Sequence, residues 1–204
     1  MTLNLFLLLG LIITITITFW VVVRSASHRI QFQYEALSQT LTIPLTKPAP
    51  RFLGFVRPEP YIHGIYKTRE MSISVPGSAY KNTRKIETTV KVDVETNLYL
   101  SLFPKNVFTR KSTTNHQLAD PQSDFEATLS LRTNHPERLN AIFTPELCAR
   151  ITALIKESKG RITLHEGVLA FTLLGLIATD KQRLLIKTAT SILYTLAEAI
   201  ELKS

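Results

Sequence analysis

LNLFLLLGLIITITITFWVVV, residues 3–23, is an uncharged run of 21 residues, and everything after it must be placed relative to it. At 1.5 Å per residue such a helix is roughly 31 Å long, about the thickness of a bilayer's hydrocarbon core. Its threonines, Thr14, Thr16 and Thr18, are tolerable in lipid because their hydroxyls can bond back to helix carbonyls. Trp20 falls near the end of the run, where an indole suits the headgroup boundary. A cleaved signal peptide fits poorly: Met1 to Asn4 has no lysine or arginine, the run exceeds the usual apolar length, and Arg24 follows at once. Residues 1–25 are therefore expected to be a retained signal-anchor, making the chain a single-pass membrane protein. Arg24 and Arg29 on the C-terminal flank place the globular part in the cytoplasm by the positive-inside rule.

Working outward, Ile30, Tyr34, Leu37 and Leu41 recur at helical spacing. Residues 26–48 are expected to form an amphipathic stem and linker, the helix packing on its own domain and ending before Pro44, Pro48 and Pro50. Residues 49–204 then make a single globular domain. That length buries about two thirds of its unfolded surface, and the lone Cys148 could not staple it.

Beyond Tyr61 the periodicity changes. Residues 65–75 alternate as one strand closed by Pro76-Gly77. Val90, Val92 and Val94 alternate with charges, and Leu98–Leu102 is expected as a neighbouring antiparallel strand. Residues 104–124 read as a loop, and residues 125–132, FEATLSLR, as another strand. Asn134 or His135 caps a short helix with Leu139, Ile142 and Phe143 inward. Thr144-Pro145-Glu146 starts a second helix, closed by Lys159-Gly160. A hairpin follows, residues 161–166 and 168–178 about Gly167, and Thr179-Asp180 caps an amphipathic last helix. The fold class is α+β: one N-terminal transmembrane helix, then a mostly antiparallel sheet packed with two to three helices.

The net charge of +8 lies wholly in residues 1–111, where 14 Lys and Arg oppose 6 Asp and Glu. Membrane-facing basic residues gain attraction to anionic lipid, and Lys67, Arg69, Lys81, Arg84 and Lys85 are the candidate lipid-surface contacts. A solvated basic face explains the same residues equally well. The histidines lack the i, i+4 spacing of a zinc site, His63 reads as a turn residue and His165 as a solvent-facing strand residue. Cys148 reads as a buried structural thiol, Asp93 and Glu95 as a solvated face. No phosphate-cradling or nucleophile-elbow motif occurs, so no cofactor, no metal site, no catalytic residue and no nucleic-acid partner is expected.

Asp124-Phe125-Glu126-Ala127-Thr128-Leu129-Ser130-Leu131, Phe143-Thr144-Pro145-Glu146-Leu147 and Glu166-Gly167-Val168-Leu169 resemble segments of uncharacterised bacterial membrane-anchored proteins carrying a domain of unknown function. Tyr34-Glu35-Ala36-Leu37-Ser38 and His63-Gly64-Ile65-Tyr66 are similar to other parts of such proteins, although Thr68-Arg69 stands where they carry Gly-Arg. The resemblance spans about half the chain, its motifs are mostly structural, and it implies a membrane anchor while importing no function. The expected function is a non-enzymatic protein-binding or complex-assembly module, with the membrane and another membrane protein as partners. A module binding anionic lipid, or an enzyme built on His63, His165 and the carboxylates near Asp93, is the alternative.

Overall fold

The computed structural model describes residues 2–49, 58–76, 86–105 and 123–203. Helix α1 (Thr2–Leu41) is one continuous rod of 40 residues. It is long and apolar enough to cross a membrane, and its residues from Leu8 to Val23 lie exposed. Each threonine of the run does bond back: Thr14 Oγ1 donates to the Gly10 carbonyl at 2.9 Å, Thr16 to Ile12 at 2.8 Å and Thr18 to Thr14 at 2.8 Å. The Arg24 guanidinium sits 4.9 Å from the Trp20 ring centre. At about 1.5 Å per residue the rod is roughly 60 Å long, twice a hydrocarbon core, so its second half must go elsewhere. It enters the domain: Tyr34, Leu37 and Leu41 are buried in the main core.

The domain is α+β. Eight strands form one antiparallel sheet in the order β1-β2-β3-β4-β8-β7-β5-β6. They are β1 (Leu45–Thr46), β2 (Tyr61–Tyr66), β3 (Arg69–Ser74), β4 (Glu87–Asp93), β5 (Leu100–Pro104), β6 (Leu129–Thr133), β7 (Arg161–His165) and β8 (Val168–Leu174). The helices are α2 (Ser123–Thr128), α3 (Leu139–Ile142), α4 (Pro145–Ser158) and α5 (Asp180–Leu202), with a 3-10 turn (Pro136–Arg138) before α3. One sheet face presents Ile73, Val90, Val92, Leu102, Ile162 and Phe171 to α1, α4 and α5, and these side chains make the core. The other face is polar and small, with Ser72, Lys91, Ala170 and Thr163 in one cross-strand row.

The helix caps follow the sequence. Thr144 accepts from the Leu147 amide at 3.3 Å, and Thr179 forms a reciprocal capping box with Gln182. The β7–β8 hairpin turns on Glu166 (φ 50°) and Gly167 (φ 75°), the pair of left-handed residues that a two-residue turn needs to match strand twist.

Four expectations are corrected. Residues 65–75 are a hairpin, not one strand: Lys67 takes φ 57°, the chain reverses, and Tyr66 pairs with Arg69. Reversal over two residues shifts the phase of alternation, so Ile65 points outward, 71 % exposed, opposite to Met71 and Ile73. Consequently His63 is a strand residue, facing Ser72, and not a turn. Strands β4 and β5 are not neighbours, because the β7–β8 hairpin inserts between them and satisfies both edges. Residues 125–128 belong to helix α2, where Phe125 packs on the Phe143 ring with centroids 5.7 Å apart; only 129–133 continue as strand.

Candidate functional site

The starts of β3 and β8, the end of β4 and the last turn of α5 meet at one end of the sheet. Their side chains enclose a cleft of about 670 Å³ lined by Thr68, Arg69, Glu70, Asp93, Val94, Glu95, Glu166, Gly167, Val168 and Glu201. Its construction starts with the β2–β3 turn, which aims Arg69 at α5. The Arg69 guanidinium donates through both terminal nitrogens to the Glu201 carboxylate, Nη2 to Oε2 at 2.6 Å. The same carboxylate accepts the Glu95 amide at 3.0 Å, so the ion pair ties three elements together. At the opposite wall the Val94 amide donates to the Gly167 carbonyl at 2.8 Å. A side chain at Gly167 would meet the Val94 carbonyl oxygen at 3.0 Å in a left-handed backbone, which explains glycine there.

Beside the cleft, Tyr66 and Tyr194 stand edge to face with centroids 5.9 Å apart. Lys67 Nζ lies 4.2 Å above the Tyr194 ring and 5.8 Å from that of Tyr66. Such a contact contributes about 0.5–1 kcal/mol at an exposed site and holds the lysine over the rings.

The electrostatics follow from this inventory. Arg69 is neutralised by Glu201, whose carboxyl is held below the ordinary glutamate range first by the Arg69 hydrogen bonds. Glu70, Asp93, Glu95 and Glu166 remain around the opening. The cleft is therefore acidic and suited to a cationic group. Of the residues singled out for lipid contact, Lys67 and Arg69 come together here, already engaged by aromatic rings and by Glu201. Lys81, Arg84 and Lys85 lie outside the described residues. Asp93 and Glu95 line the cleft, whereas the two histidines lie outside its lining: His63 Nε2 is 3.5 Å from Glu70, and His165 Nδ1 is 3.8 Å from Glu166. Cys148 is fully buried in α4, and burial pushes its thiol up to about 11, so it is an inert packing group. The Arg69–Glu201 pair had no signal in the sequence, since its members are far apart along the chain and neither belongs to a motif.

Replacing Arg69 with alanine is expected to destabilise the full-length protein by about 1–2 kcal/mol at neutral pH, a charged hydrogen-bonded pair being partly discounted for exposure. The side chains are 16 % and 27 % exposed, so solvent screens them only in part. Because the folded Glu201 carboxyl is lowered, its contribution is present above the unfolded glutamate value and is lost as pH falls through the folded one. Denaturant unfolding across the acid range should show that loss in the native protein and a shallower one in Arg69→Ala.

No family model matches the sequence, and no curated protein matches it. Among solved structures, the chain is similar to the crystal structure of the mycobacterial trehalose monomycolate transport factor A, TtfA, with a TM-score of 0.52 and 6 % identity. The similarity covers 86 % of this chain and 94 % of the other. At that identity what the two chains share is the fold: this chain has the α+β architecture of TtfA.

Proposed function

We propose that this chain is a single-pass membrane protein whose cytoplasmic α+β domain is a binding and assembly module and not an enzyme. The observation that carries the proposal is the continuity of α1, which runs from an exposed apolar span into the core at Tyr34 without a break. A domain fixed to its anchor in this way is held in one posture, as a docking platform requires and a freely tethered enzyme does not. Arg24 and Arg29 support the cytoplasmic side. The acidic cleft supports a partner that brings lysine or arginine side chains to it. The shared fold supports a role as a transport factor, by analogy with the protein that carries that description.

Tagged full-length protein purified from its native membranes in mild detergent is expected to bring down a membrane protein in near-stoichiometric amount. The double variant Glu70→Lys/Asp93→Lys should stay in the membrane and lose that partner. Recovery of the native protein alone, or a partner indifferent to the charge reversal, would contradict the assembly role or its placement at the cleft.

A further inference from the structure

The path of α1 across the domain fixes which end of the sheet faces the anchor. The Tyr34 hydroxyl lies beside the Thr88 side chain, at the start of β4. Farther along, Ile43 packs on Gly64, where an added Cβ would come within 3.0 Å of its methyl. Gly64 pairs with Met71, and Met71 with Val92, near the end of β4. Between Tyr34 and Ile43 the chain therefore travels along β4 from Thr88 toward Val92. The return confirms it: after the reversal Thr46 pairs with Tyr61, and Lys47 Nζ comes back to Glu35 at 2.5 Å.

The anchor thus leaves from the end formed by Ile86, Leu174 and the first turns of α5, while the acidic cleft lies at the far end. Val23 to Tyr34 is roughly 16 Å of helix. Ile86 lies two residues before Thr88, about 7 Å nearer the anchor. That leaves roughly 9 Å between Ile86 and the hydrocarbon boundary for an upright helix, a few Å above a headgroup layer about 5–7 Å deep. The ordinary tilt of a membrane helix, about 20°, closes that gap on one side. At this end Phe32, Ile86, Leu174 and Leu184 are exposed apolar side chains. Arg24 and Arg29 of α1 supply cationic charge on this side, whereas Arg161, Lys181 and Arg183 are paired with Glu87 at 2.7 Å, Glu157 at 3.3 Å and Asp180 at 3.1 Å. The far end carries Glu70, Asp93, Glu95 and Glu166.

From this we infer that the β4-start and β8-end edge of the domain, with Ile86 and Leu174 at its centre, docks on the anionic headgroup surface of the membrane that holds α1. The inference rests on the proposed membrane anchor. An apolar edge brought to headgroup height by that tilt inserts shallowly, and Arg24 and Arg29 at one end with the acidic cleft at the other orient the domain with the cleft outward. The cleft is then presented away from the bilayer, some 27 Å along α1 from Val23 to Leu41, where a partner's soluble segment can reach it.

The test uses full-length protein reconstituted in phosphatidylcholine vesicles with and without phosphatidylglycerol. A polarity-sensitive fluorophore is attached at Leu174→Cys or, separately, at Asp93→Cys; the buried Cys148 stays unlabelled. Headgroup spin-labelled lipid should quench the label at position 174 several-fold more than that at 93, and the difference should grow with phosphatidylglycerol. Trp20, the sole tryptophan, reports the anchor independently through quenching by acyl-chain-brominated lipid. Quenched Trp20 with an unquenched label at 174, or with equal quenching at both labels, overturns the docking and leaves the anchor. Unquenched Trp20 overturns both.

Discussion

Replacing Tyr34 with alanine is expected to cost about 3–5 kcal/mol of domain stability, the range for removing a fully buried aromatic side chain. Tyr34 is 0 % exposed and, with Leu37 and Leu41, forms the part of α1 embedded in the core against β2 and α5. The hydroxyl end reaches Thr88, and Thr88 in turn donates to the Gly175 carbonyl at 2.7 Å, closing the end of the sheet that faces the anchor. Truncation leaves a void between α1 and β4 at Thr88. Thermal unfolding of the full-length protein in detergent should show the loss. Phenylalanine at the same position should retain most of the stability, because the ring supplies the packing.

Gly160→Val is expected to be nearly as damaging. A Cβ at Gly160 would stand 2.6 Å from Cε2 of Phe171 and 2.7 Å from the Thr172 carbonyl oxygen. The ring could turn aside, but the carbonyl belongs to β8 and is fixed by the ladder to β7, where Thr172 faces Arg161. Relief requires moving β7 away from β8, and overpacking of this kind costs about 1–3 kcal/mol or more. The check is the unfolding midpoint of Gly160→Ala and Gly160→Val beside the native protein. A fall at alanine and a larger fall at valine is the expected order; an unchanged midpoint at valine would show that the strands separate freely.

These two positions illustrate what a sequence discloses. Gly160 was legible as the glycine after a helix, yet Lys159 itself takes the left-handed closing conformation, φ 54°, and glycine is required for the close approach of Phe171 instead. Tyr34 was legible as one member of a helical stripe, because i, i+3 and i+4 spacing is a local property. Caps at Thr144 and Thr179 and the β7–β8 hairpin were legible for the same reason: each is decided by residues within a few positions of one another. The β2–β3 hairpin escaped because Lys67-Thr68 has none of the glycine or asparagine that usually marks such a turn, and alternation ran on through it. The insertion of β7 and β8 between β4 and β5 escaped because strand order is set by distant pairings. The site was the least legible part. Glu201 is the partner of Arg69 only once α5 has crossed the sheet, and the cleft's carboxylates come from four separate strands, turns and helices.

The sequence half nearest the anchor holds the whole net positive charge, which pointed Lys67 and Arg69 toward lipid. Folding places Lys67 over the Tyr194 ring and pairs Arg69 with Glu201.

The posture proposed for the domain depends on α1 being unbroken between Val23 and the core. Spin labels at Ser25→Cys and Asp93→Cys, in full-length protein reconstituted in lipid, measure that continuity directly. A single narrow distance distribution on the order of 30 Å is the result predicted for a rigid rod of this rise running the length of the sheet. A broad distribution would mean that the helix bends or frays between Arg24 and Tyr34, and the domain would then be a tethered body without a fixed posture at the membrane.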